Sequence, residues 1–246
     1  MNHKTYGSLL VTIALVFTLP PSTHPEDAAE QSIRGPLYRE PFPDAPEVRV
    51  EGVARGEDSV VQYLTVLAPK RVGVTTKEQP CLFWYQSEAT KNRFELTIVQ
   101  DKKPEPFAEL TLNGPSSRGI QRLRLSQLNI KLAEGVEYRW TISMVIDPQH
   151  PIKNPVASGA IMRLAPTKKL LDRLAKSPPS KAPFIYADEG VWYDSLEALS
   201  DLIDQRPKDP DLHEQRVFFF MQQGLEDAAL YEGAMANGEQ ASGSGK

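Results

Sequence analysis

Cysteine and histidine, the usual thiol nucleophile and the usual neutral-pH base and transition-metal ligand, are few: one cysteine, Cys81, and four histidines, His3, His24, His150 and His213. A cysteine attacks as its thiolate, which needs exposure and a neighbouring base or cation. Cys81 instead opens the apolar run Cys81-Leu-Phe-Trp84-Tyr85, where a thiol behaves as a small buried hydrophobe. His150 lies in Asp147-Pro-Gln-His150-Pro151, and with Ser143 or Ser158 it would supply the letters of a hydrolytic triad. No G-x-S-x-G elbow accompanies them. His213 falls in the first turn of a polar helix end and reads as solvated. With no H-x-x-x-H or C-x-x-C, no transition-metal site is expected. A P-loop, a dinucleotide glycine fingerprint and an EF-hand loop are all missing, so no cofactor is expected either.

Binding chemistry has more material. Trp84, Tyr85, Trp140, Trp192 and Tyr193 could stack on a sugar or anchor a protein interface. Their places in apolar periodic stretches favour core packing. The densest mixture of aromatic and acidic groups is Tyr186-Ala-Asp188-Glu189-Gly190-Val-Trp192-Tyr193-Asp194. Trp84, Asp188, Trp192, Tyr193 and Asp194 are therefore the candidate binding residues. Arg118, Arg122, Arg124 and Lys131 make a basic stripe, with Arg122 and Arg124 on one strand face, and read as a solvated face rather than a polyanion site.

The elements that must position these groups are written in the hydrophobic period. From 47 to 165 short strand-like runs alternate with turns: Val48–Val53, Ser59–Ala68, Arg71–Thr75, Pro80–Ser87, Asn92–Gln100, Phe107–Leu112, Ile120–Leu125, Glu137–Ile146 and Val156–Leu164. Phe94, Leu96 and Ile98 share one face against Glu95 and Thr97; Tyr138, Trp140, Ile142, Met144 and Ile146 share another. The unalternating run 81–85 suits a strand covered on both sides. In Leu132-Ala-Glu-Gly135-Val-Glu-Tyr138, the spacing of Leu, Gly and Tyr matches the corner before a late strand of fibronectin type III domains, where the Tyr hydroxyl bonds the upstream backbone.

After Leu164 the period becomes 3.6. Thr167 caps a helix with Leu170, Leu171 and Leu174 on one face, ended by Pro178-Pro179. A second helix covers 188–205, and a third starts at Asp209-Pro210, turns Leu212, Phe219 and Phe220 inward, and stops near Gly224. The expected architecture is mainly β: an Ig/fibronectin-III-like antiparallel β-sandwich at 47–165, followed by a helical segment of about three helices at 166–232, α+β overall. The helices are expected to pack on the sandwich or cap it. A disordered tail is expected over 233–246. Residues 26–46, rich in proline, read as an extended lead-in or linker.

The chain has 246 residues, 40% hydrophobic and 24% charged, with 28 Lys+Arg against 32 Asp+Glu. That balance gives no reason to expect nucleic acid as a partner. Lys4 precedes the apolar run Leu9–Leu19, broken by Pro20-Pro21, which is the pattern of a signal peptide over residues 1–25. The run is short for a bilayer span, and an uncleaved N-terminal anchor is the alternative. Export to the periplasm or beyond is expected, with no stable membrane span after cleavage.

The segment order Cys81-Leu-Phe-Trp84-Tyr85, Tyr138-Arg-Trp140 running to Asp147-Pro148, Gly159-Ala-Ile-Met-Arg163 and Ala187-Asp-Glu-Gly190-Val-Trp192-Tyr193-Asp194 resembles the exported bacterial "domain of unknown function 928" family, common in cyanobacteria. The resemblance covers about residues 47–226. It implies export and the fold, and carries no activity, cofactor or catalytic residue. Cys81 replaces a Thr or other small residue of that family, and Ile146 stands where a Cys often precedes the Asp-Pro.

Three functions follow as expectations. The first is a non-enzymatic adaptor binding another envelope or secreted protein. The second is a glycan or cell-wall binding module, which requires Trp84 or Trp192 to be accessible. The third is a hydrolase built on His150 and Asp147.

Overall fold

The computed structural model of the chain describes residues 35–55, 61–103, 105–114 and 116–238. The expected signal peptide, the start of the lead-in and the last eight residues lie outside them. Every described residue belongs to one compact unit, Ile33–Lys246.

Period-2 patterning places the strands. Nine are formed among the described residues: β1 Gly52–Arg55, β2 Val61–Val66, β3 Gly73–Thr75, β4 Cys81–Gln86, β5 Phe94–Gln100, β6 Pro106–Leu112, β7 Gly119–Arg124, β8 Glu137–Met144 and β9 Val156–Arg163. Each falls within or against one of the nine runs read from the sequence. They make two sheets, ordered β1-β2-β4-β7 and β3-β9-β8-β5-β6. Every pairing is antiparallel except β3 with β9. In β5, Phe94, Leu96 and Ile98 are buried while Glu95 is exposed. In β8, Tyr138, Trp140, Ile142 and Met144 are buried around an exposed Arg139. Ile146, expected to extend that face, is exposed because β8 ends at Met144 and the chain turns away.

All six residues of β4 are buried. Trp84 meets Phe94 of the other sheet, with ring centroids 6.1 Å apart. Residues on the opposite side meet helices: Tyr85 lies 5.8 Å from the Tyr231 ring. The helices among the described residues are α1 Lys168–Ala175, α2 Ala182–Asp188, α3 Trp192–Gln205, α4 Pro210–Met221 and α5 Glu226–Ala236. The fold is therefore mixed α+β. Thr167 caps α1 by accepting from the Leu170 N–H at 3.1 Å, and Asp209 caps α4 ahead of Pro210.

Five helices replace the expected three. α2 is only seven residues long and lies ahead of the stretch 188–205 read as the second helix, meeting it at Asp188 alone. The turn between α2 and α3 needs Gly190 at φ +76°, where a Cβ would also approach the Arg39 carbonyl to 2.9 Å. α5 begins within the expected helical segment and runs four residues into the expected disordered tail. Its Ala228, Ala229, Gly233, Ala234 and Ala236 give it no strong amphipathic stripe. Leu171 of α1 is also a correction: it is half exposed, while Leu170 is buried.

The described part of the proline-rich lead-in, residues 35–46, is held against the fold rather than free. Tyr38 is buried between Trp192 and Phe219, at centroid distances of 5.0 and 6.3 Å. Its backbone N–H donates to Gln222 Oε1 at 2.8 Å, and Gln222 Nε2 donates to the Pro36 carbonyl at 2.8 Å. Arg71 Nε reaches the Ala45 carbonyl at 2.6 Å. Proline holds the segment extended, and the side-chain contacts hold it down.

Candidate functional site

The α3 N-terminus concentrates the residues singled out in the sequence. Gly190 ends α2 and sends the chain back so that Trp192, Tyr193 and Asp194 open α3 at consecutive helical positions, about 100° apart around the axis. Each therefore points in its own direction. Trp192 stacks on Phe219 at 4.1 Å and donates from Nε1 to the Leu67 carbonyl at 2.9 Å. Tyr193 Oη accepts from Trp140 Nε1 at 2.9 Å and donates to the Ala160 carbonyl at 3.0 Å. A Cβ at Gly73 would stand 2.6 Å from its ring, so β3 can pass Tyr193 only with glycine there. Asp194 Oδ1 accepts from Thr75 Oγ1 at 2.5 Å, and Oδ2 accepts from the Thr76 N–H at 3.0 Å and from the Thr76 hydroxyl. Burial pushes the Asp194 carboxyl up, against the pull of these donors.

These three side chains are completely buried. Their polar atoms are paired with the sheets, so the triplet fastens α3 to β3, β8 and β9. Trp84 is also in the core, 5% exposed. Neither tryptophan provides the accessible stacking face that a glycan platform requires. Among the five candidate binding residues, Asp188 alone reaches the surface; it pairs with Arg39 and Arg173, each at 2.6 Å. The Arg173 hydrogen bond holds its carboxyl below the ordinary range.

The catalytic candidates are dispersed. Cys81 is 1% exposed, and burial, with Glu197 nearby, pushes its thiol up to about 12, far from a thiolate. His150 Nδ1 lies 2.7 Å from Asp147 Oδ2 in an exposed loop. Asp147 Oδ1 meanwhile accepts from the Gln149 and His150 N–H groups at 2.9 and 3.2 Å, an arrangement that shapes the loop. His213 is not solvated but buried. Its Nδ1 faces Glu232 Oε2 at 2.8 Å, and its Nε2 faces the Pro207 carbonyl at 3.1 Å. Arg216 donates to Glu232 Oε1 at 2.6 Å and to Ser200 Oγ at 3.1 Å. Part of the basic stripe is ion-paired: Asp201 of α3 takes Arg122 at 2.6 Å and Arg124 at 3.1 Å, while Arg118 and Lys131 are exposed.

Two surface features escaped sequence reasoning. The β8–β9 loop, residues 145–155, holds Ile152 at 96% exposure. Asn154 Oδ1 accepts from the Ile146 and Asp147 N–H groups at 2.9 and 3.1 Å, and the Met144 N–H donates to the Pro155 carbonyl at 3.1 Å. Pro148, Pro151 and Pro155 stiffen the loop further. A lone isoleucine in a polar, proline-bounded stretch was the available signal. The second feature is an apolar groove of about 530 Å³ between α4 and α5, lined by Val217, Met221, Ala229, Leu230, Gly233 and Ala234. Its small residues look like tail in sequence because they carry no periodic stripe.

Among curated proteins none matches the chain. A family model, Domain of Unknown Function (DUF928), matches residues 50–232, a span running from the first strand into the last helix. The chain belongs to that family.

Proposed function

We propose that the chain is an exported, non-enzymatic protein-interaction module of the cell envelope, built on an Ig/fibronectin-III-like sandwich. Strand order supports the finer fold. In such domains strands B and E are neighbours in one sheet, and G, F, C and C′ run side by side in the other. The pairing of β4 with β7 and the order β9-β8-β5-β6 correspond to them. Tyr138, at the start of the strand in the F position, accepts the Ala133 N–H at 3.2 Å, which is the corner bond of that fold. The N-terminal apolar run supports export.

One observation carries the interaction role: the braced β8–β9 loop holding Ile152 in water. A fully solvated isoleucine contributes nothing to folding, whereas on a rigid loop it can enter a partner's pocket with little ordering cost. The partner class is another envelope or secreted protein. Pull-down from envelope extracts with the wild-type chain and with Ile152→Asp tests this. Recovery of a partner by the wild type and its loss in the variant is the expected result. Identical recovery by both proteins would refute the role of the loop.

A further inference from the structure

We propose that the partner of the Ile152 loop is a second copy of this chain, with the loop of one copy seated head to tail in the α4–α5 groove of the next. This rests on reading the loop as a contact surface. The two features have complementary shape and chemistry. Ile152 stands proud, flanked by Pro151 and by Lys153, whose side chain is 59% exposed. The groove is concave and apolar: Met221 is 53% exposed, Leu230 is 73% exposed, and a Cβ added at Gly233 would meet nothing within 4 Å. Exposed apolar surface of this kind marks association sites.

Charge favours the same pairing. Glu226 lines the groove beside Ala229 and Leu230, while Lys153, next to Ile152 on the loop, meets Asp147 of its own loop at only 3.9 Å and keeps most of its side chain in water. Seating the isoleucine brings a cation to an acidic rim. The 96% exposure of Ile152 means that it does not fill the groove of its own chain. The chain's own C-terminus does not suit the groove either. The segment beyond Gly238 reads Glu239-Gln-Ala-Ser-Gly-Ser-Gly-Lys246, with Ala241 its single apolar side chain.

Knob and groove are different patches, so the contact is heterologous. Such contacts continue into rings or open filaments rather than stopping at a two-fold dimer. The asymmetry gives a decisive experiment. Sedimentation velocity over a wide concentration range should show wild-type mass rising with concentration, and Ile152→Asp and Leu230→Asp each remaining monomeric. Both sites are on the surface, so unchanged circular dichroism and melting point should accompany the loss. An equimolar mixture of the two variants should form dimers and nothing larger, because one supplies an intact loop and the other an intact groove. Wild type that stays monomeric, variants that still associate, or a mixture that stays monomeric would each overturn the proposal. An envelope protein captured through Ile152 by a monomeric wild type would leave the display role standing and remove the copy-to-copy contact. Loss of both self-association and capture would remove the display role as well.

Discussion

Tyr138 and Trp140 occupy the same face of β8 but place different demands on it. The Tyr138 hydroxyl accepts one backbone N–H, so Tyr138→Phe leaves Ala133 unpaired without changing shape. The expected cost is about 1–2 kcal/mol, and an unchanged melting point would contradict the corner geometry. Trp140 is fully buried and bonded to Tyr193. Trp140→Ala should cost roughly 3–5 kcal/mol, read by denaturant unfolding, and a loss below about 1 kcal/mol would remove it from the core. Both roles were legible in sequence, because alternation assigns a strand residue to a face. The roles of Trp192, Tyr193 and Asp194 were not. Three consecutive helical residues cannot share one face, and periodicity does not reveal that a helix end is enclosed on all sides.

At the scale of elements, α4 and α5 are joined by a buried charge cluster. Both ring nitrogens of His213 face oxygen acceptors, the Glu232 carboxylate and the Pro207 carbonyl. That arrangement suits the imidazolium, since a neutral ring would set a lone pair against one of them. The Glu232 hydrogen bond, against burial, raises the His213 pKa, with Arg216 the charged group opposing it. Burial is the largest influence on Glu232 and favours its neutral form, but Arg216 and His213 together outweigh it and hold the carboxyl low. The signs follow from linkage. The His213 contribution is complete below its unfolded value of about 6.5 and is lost as pH rises through the raised folded value. The Glu232 contribution is present above about 4.3 and is lost as pH falls through its lowered value. The melting temperature should therefore decline on the alkaline side, and His213→Gln should flatten that decline. A wild-type profile already flat there would contradict the assignment. Sequence hid this cluster because His213 and Glu232 meet only when two helices pack. It revealed α4 itself through Asp209-Pro210, and missed α5 for want of a stripe.

On the scale of the whole molecule, the main core joins sheets and helices, with a smaller helical cluster of Leu199, Leu202, Ile203 and Leu212 beside it. Tyr38 from the lead-in, Phe83 and Trp84 from β4, Trp140 from β8, Trp192 from α3 and Phe219 from α4 lie in one continuous cluster. The sequence reading divided the chain at 165/166, where the hydrophobic period changes, and expected the helical segment to pack on the sandwich or cap it. Tyr38→Ala should lower stability by about 3–5 kcal/mol, as loss of a buried aromatic does. Far-ultraviolet signals of helix and sheet should still fall in one transition. Two separated transitions would show that the helices unfold on their own.

The docking of Tyr38 has a consequence for how the chain is made. A polypeptide that emerges from its N-terminus presents Tyr38 early, yet Phe219 and Gln222, which enclose it, come near the end. The outward face of β4 waits as long for Tyr231. Throughout synthesis, a chain that has not yet added residues 219–231 shows aromatic surface that those residues will cover. Such surface recruits chaperones or aggregates. The first described segment to appear is thus among the last to be secured, and truncation from the C-terminus should harm yield out of proportion to the residues removed.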